Sequence, residues 1–231
     1  MIRVLCLVLA ALLCVPAALS EEAESAPALP EDLAPLLSYV GDVQYRDGYY
    51  DLFAASVWNE LPENFRKLLA RRKAKIVLYS GTEEVTEPVK HEGEDDFFGQ
   101  RVVYGLYIHG KRPEIRARFP KVISGRSRGR LTIRTVFVHE LGHLVDDLGG
   151  NGSFQISRSK AWKKIVSDPA FLEKLACYDK QSRDNNYDDQ ERFADAFRIR
   201  LSDPDWFDDF PQAEELIDDA VDKTMKKYKI R

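Results

Sequence analysis

The residues with the clearest capacity for chemistry are His139, Glu140 and His143, in the run His139-Glu140-Leu141-Gly142-His143. This is an H-E-x-x-H pattern. On an α-helix, positions i and i+4 share a face. Both imidazoles can then reach one metal ion, with the glutamate beside the coordination position left open. The chemistry this points to is zinc-assisted hydrolysis. Zinc activates a water and polarises a carbonyl, while Glu140 takes the water's proton and later passes it to the leaving amine. The plainer alternative is a chance match in a buried helix. It would leave two histidines and a glutamate buried without partners, which is costly.

Catalytic zinc takes three protein ligands and one exchangeable water. No histidine follows His143, so the third ligand is expected to be a carboxylate. The segment Glu191-Arg-Phe-Ala-Asp195-Ala-Phe197 supplies two acids at i and i+4. Glu191 can bind zinc, and Asp195 can accept a hydrogen bond from the second ring nitrogen of a ligating histidine. Phe193, Ala196 and Phe197 can anchor the opposite side in the core. The alternative is that Glu191 closes a capping box with Asp188 and Asp195 is a surface acid. The tetrahedral intermediate also needs a donor for its oxyanion. Tyr187 is the first candidate and Tyr178 the second, although either could equally be a packing residue. His91 and His109 read as structural or exposed, with substrate contact as the other reading of His109.

These residues need elements to hold them. Residues 131–148 read as the motif helix, with Ile133, Phe137, Leu141, Leu144 and Leu148 as its buried stripe. Gly142 lets another backbone approach, and Gly149-Gly150 stops the helix. Further helices are expected over 62–72, 160–167, 170–178, 189–201 and 212–227. Strands are expected over 75–80, an apolar β-branched run, and over 101–109, interrupted by Gly105. The second strand is the expected sheet edge, where a peptide could add as a further strand. Early strands followed by helices give an α+β class, with a small N-terminal sheet and a helix-rich C-terminal half.

Residues 81–96 form an acidic stretch, read as a solvated loop. Residues 111–134 carry nine Lys or Arg against Glu114 alone. Such a block reads first as solvated surface, with docking of an acidic substrate or envelope polymer as the alternative. Its portion 125–129 reads as a mobile loop. The Asp-rich stretch 203–222 reads as a solvated loop and helix start, pinned to the core by Trp206, Phe207 and Phe210.

Composition frames the rest. The chain has 231 residues and a net charge of −4, which does not suit a nucleic-acid binder. Residues 1–20 read as a secretory signal peptide: Arg3, a short apolar run, Pro16, then small residues at Ala18 and Ser20. Its removal leaves Cys177 as the sole cysteine, so no intrachain disulfide is expected. Residues 21–36 read as a flexible leader or pro-segment, and 37–231 as a single domain. The signal segment makes the expected location secreted or periplasmic, and no later segment is apolar enough to span a membrane.

HELGHLVDD followed by ERFADAFR resembles the catalytic domain of anthrax lethal factor and the secreted Pro-Pro endopeptidases, which share a zincin fold. The resemblance covers about a third of the chain. It implies ligand roles for His139, His143 and Glu191, the base role for Glu140, and a zinc cofactor. One departure stands out. The family carries a catalytic tyrosine seven residues before the glutamate ligand, where this chain has Asp184; Tyr187 would have to substitute. The Glu191-x-x-x-Asp195 pair also looks like the thermolysin pattern, which points to the wider glutamate-zincin class. The expected function is a secreted zinc endopeptidase acting on proteins or peptides. The rivals are a non-catalytic exported binding module that keeps the fold and zinc, and a zinc hydrolase acting on another amide, such as a cell-wall peptide.

Overall fold

A computed structural model describes residues 29–40, 49–80, 86–87, 101–102, 105–119, 126–150, 155–178 and 188–231. The proposed signal segment, His91, Asp184 and Tyr187 lie outside them. The elements run β1 (Leu37–Val40), α1 (Tyr49–Glu60), α2 (Glu63–Arg72), β2 (Lys75–Ser80), β3 (Thr86–Glu87), β4 (Arg101–Val102), β5 (Gly105–Ile108), β6 (Glu114–Phe119), α3 (Arg126–Gly149), α4 (Lys160–Val166), α5 (Pro169–Leu175), α6 (Asp189–Ser202) and α7 (Pro211–Lys227). Two short 3₁₀ turns, Ile156–Arg158 and Pro204–Asp209, link the later helices. The class is α+β, with a four-stranded sheet before a helix-rich C-terminal half.

Local chemistry sets several boundaries. In α2, Pro62 sits before the first helical residue and Lys73 ends the helix in the left-handed region at φ 50°. Ser159, Asp168 and Asp188 cap α4, α5 and α6 by accepting hydrogen bonds from Trp162 N, Ala170 N and Gln190 N. The sheet order is β1-β2-β6-β5. β1, β2 and β6 are parallel, and β5 runs antiparallel to β6 at the edge. Ile76, Leu78, Ile115 and Ala117 project from one face into the main core, where Phe137, Leu141 and Leu144 of α3 meet them.

The strand expected over 101–109 is two strands. Arg101–Val102 pairs with Thr86–Glu87, and Gly105–Ile108 forms the edge of the main sheet. The basic block divides in the same way. It contains β6, whose Arg118 is buried, and residues 126–129, read as a loop, open α3 instead. Residues 29–36 fall within the expected leader. Here they form hydrogen-bonded turns with Leu33 and Leu36 buried, and Asp32 accepts a hydrogen bond from Trp58 Nε1. Trp206 and Phe207 are buried, as the Asp-rich stretch required. No helix among the described residues is long and apolar enough to cross a membrane.

α3 is buried on more than its expected stripe: Val138 and Val145 join Phe137, Leu141, Leu144 and Leu148 in the core. α6 crosses it at Gly142. A Cβ there would lie 2.7 Å from Ala194 Cα and 3.0 Å from Ala194 O, inside contact distance. Gly142→Ala is therefore expected to lower stability by about 1–3 kcal/mol through overpacking, despite the ~1 kcal/mol gain in helix propensity. Urea melts check this, with Gly110→Ala as the neutral comparison, since its nearest atom to a new Cβ is 3.7 Å away.

Candidate metal centre

The α3–α6 crossing brings two histidines of one helix against two acids of the other. His139 Nε2 lies 3.0 Å from Glu191 Oε2, and His143 Nε2 lies 3.5 Å from Glu191 Oε1. The two imidazoles meet edge to face, with centroids 4.9 Å apart. One donor atom each from His139, His143 and Glu191 fall within 4.8 Å of one another. Asp188 caps α6 through Gln190 N, and Glu191 turns its carboxylate to the histidines.

Asp195, one turn further along α6, is almost fully buried. Its Oδ1 lies 2.9 Å from His139 Nδ1 and accepts a 3.2 Å bond from Arg198 Nη2. His139 is thus gripped at both ring nitrogens by carboxylates. A neutral imidazole carries one proton, so one nitrogen requires either a second proton or a metal. Burial pushes His139 toward the neutral form, but its bonds to Asp195 and Glu191 win and raise its pKa to about 10. Burial also pushes Glu191 up, yet the hydrogen bonds from His139 and His143 hold its carboxyl well below the usual range. The pocket thus favours positive charge between the imidazoles and Glu191. Two nitrogens and one carboxylate oxygen at this spacing suit an ion with ligands at about 2.0–2.2 Å and a fourth position left open.

Glu140 lies beside this group and is 5% exposed. Burial raises its pKa to about 7, against the pull of His139 and His143. The edge strand passes directly over it. A Cβ at Gly105 would collide with Glu140 Oε1 and with Val136. The glycine that interrupts the strand pattern is what lets β5 approach the carboxylate.

Beside these residues lies a second polar cluster. Tyr107 Oη donates to Asp147 Oδ2 at 2.8 Å, and His109 Nδ1 lies 2.6 Å from the same oxygen. The Tyr107 ring stacks on His143 at 6.5 Å, tilted 21°. Asp147 is i+4 from His143, which was the one available signal; its partners lie 40 and 38 residues away and leave no local trace. Neighbouring Asp146 is buried and accepts hydrogen bonds from Ser157 N and Oγ, both at 2.7 Å.

The other expected donor is elsewhere. Tyr178 Oη donates to Asp203 Oδ2 at 2.6 Å, beyond the C-terminal end of α6. At ~1.5 Å rise per residue, that is most of a helix length from Glu191, so Tyr178 does not face the centre. His109 stands at the end of β5, largely exposed and engaged by Asp147.

The chain matches no family model and no curated protein.

Removing Glu191 as Ala is expected to abolish tight binding of divalent metal, while Asp195→Asn should retain the site with affinity lowered about 10–100-fold. Elemental analysis and competition against a chromophoric chelator measure both.

Proposed function

We propose that the chain is an exported zinc-dependent endopeptidase of the glutamate-zincin type, with 37–231 as its catalytic domain and residues 29–36 packed onto it. The observation that carries this reading is the convergence of His139, His143 and Glu191 beside the buried Glu140, under the edge strand β5. Two imidazoles and a carboxylate are a donor set that suits zinc. Bound there, zinc would supply Lewis acidity and a water of lowered pKa.

The remaining work falls to the chain's own residues. Asp195 holds the His139 ring and its tautomer through Nδ1. Glu140 accepts a proton from the attacking water at its carboxylate and returns it to the leaving amine. The outer edge of β5, which pairs with no further strand among the described residues, offers backbone N–H and C=O groups to an extended peptide, which adds as an antiparallel strand with its reacting bond near Gly105 and Glu140. The apolar packing around α3 excludes water from the far side of the histidines. The resemblance of HELGHLVDD and ERFADAFR to the lethal factor and Pro-Pro endopeptidase group supports the same roles.

A second reading is an exported binding module that keeps the metal without turnover. Asp184, where that group carries its tyrosine, is the residue that favours it.

Glu140→Gln separates the two. For a peptidase, kcat should fall about 10²–10⁴-fold, with metal content unchanged. Mass-spectrometric profiling of a peptide library, with and without chelator, measures this. A wild-type protein that binds metal yet cleaves nothing, and a variant that matches it in every assay, would favour the binding module.

A further inference from the structure

The end of the edge strand leads into a concentration of positive charge that the chain's net charge of −4 does not foreshadow. β5 is followed at once by Gly110, Lys111 and Arg112. This turn is fastened to the end of α2. Arg72 Nη2 donates to Gly110 O at 2.9 Å, and Arg112 Nε donates to Lys73 O at 3.4 Å. The Arg72 guanidinium in turn lies 5.0 Å from the Tyr228 ring centroid, which joins the C-terminal end of α7 to the same surface. Beyond it, Lys67 Nζ donates to Arg231 O at 2.9 Å. A shallow hollow of about 450 Å³ lies between α2 and the chain end, lined by Lys67, Ala70, Arg71, Lys229, Ile230 and Arg231.

The acids near this face include Asp147, engaged by Tyr107 and His109, and Asp222, one turn before Lys226 on α7. Glu63 pairs with Lys67, and Glu114 pairs with Lys75 and Arg116. Arg71, Lys73, Lys111, Lys226 and Lys229 are exposed and have no ion pair among the described residues. A charge block within one segment is usually a solvated face. Here three separate elements bring their unpaired cations together, and side-chain bonds to main-chain carbonyls fix their arrangement.

Position then selects the partner. β5 starts at Gly105, over Glu140, and at ~3.3 Å per residue reaches His109 about 13 Å away. A guest strand running antiparallel to β5 enters from the His109 end, so its N-terminal portion crosses Lys111 and Arg112 first. We propose that this cationic face receives an acidic stretch of the substrate, about four to six residues to the N-terminal side of the bond cleaved. The polarity of the guest rests on the peptidase reading of the cleft; the charge selectivity does not require turnover.

The test uses the full chain carrying Glu140→Gln, loaded with zinc. The probe is a fluorescein-labelled dodecapeptide with four glutamates in its N-terminal half and alanine and valine in its C-terminal half. Its companions are the Gln-for-Glu peptide and the peptide with its halves exchanged. Anisotropy should show the first binding roughly three- to tenfold tighter than either companion, since two or three solvent-exposed charge pairs are gained. The preference should collapse at high salt and in Arg71→Glu/Lys111→Glu. It should persist in Lys163→Glu/Lys164→Glu, an equal charge change on α4. Equal binding of the three peptides, or an equal loss in the α4 variant, would overturn the proposal. Tight binding to vesicles of phosphatidylglycerol with no preference among the peptides would overturn it in favour of a membrane surface. Charge-selective binding without hydrolysis by the wild-type chain would strike the peptidase reading alone.

Discussion

Everything in the candidate site depends on how closely two helices cross. At Gly142 the α3 backbone has no Cβ, and Ala194 of α6 occupies the space one would need. A wider crossing would leave His139 and His143 short of Glu191 and Asp195. The same closeness explains why α3 can be both core and site. Leu141, Leu144 and Val145 are fully buried in the same turns that present the two imidazoles. Burying ionisable groups without partners costs several kcal/mol each, and here His139, His143, Glu191 and Asp195 find their partners across the crossing.

The charges around His139 explain why the cluster asks for a cation. Glu140, Glu191 and Asp195 place three carboxyl groups about two imidazoles, with Arg198 reaching in at Asp195. With the imidazoles neutral, that is an excess of negative charge in a largely dry place. The balance can be restored by protons, which is what the raised His139 and Glu140 pKa values express. It can also be restored by one divalent ion, which would replace the proton at His139 Nε2 and satisfy His143 and Glu191 together. Asp195 stays outside the group of donors and fixes the ring through its other nitrogen. Binding of such an ion would be coupled to folding.

How much of this could be read in the sequence follows from the range of each interaction. The H-E-x-x-H pattern and the Glu191/Asp195 pair are local i,i+4 signals, and the pairing of the two segments followed from ligand chemistry. The helices after α3 were legible because caps such as Asp188 and periodic apolar residues mark them. β2 was legible as an unbroken apolar run. β6 was not, because its charged residues alternate with apolar ones inside a basic block, and Arg118 is buried against expectation. α1 escaped because aromatic and small residues are buried around several sides, Tyr50, Phe53, Ala55 and Trp58 among them, leaving no polar stripe to give a period. β1, four residues long, is defined by its pairing with β2. The Tyr107–Asp147–His109 cluster was invisible for a related reason: its members come from a strand and a helix that only the tertiary fold brings together.

Gly105 shows how the sheet and the helix constrain each other. A side chain there would strike Glu140, so the strand can lie over the carboxylate only at that residue. Two residues on, Tyr107 stacks on His143, and two further, His109 meets Asp147. Alternate residues of β5 thus follow successive turns of α3, and the strand cannot slip by one position without driving a side chain into the buried acid. Its far end is no freer, since Arg72 and Lys73 of the α2 terminus hold the turn that follows. The Glu140 end of the edge strand and the cationic turn beyond its other end are therefore spaced by the packing of β5 on α3 and by the bonds that tie the turn to α2.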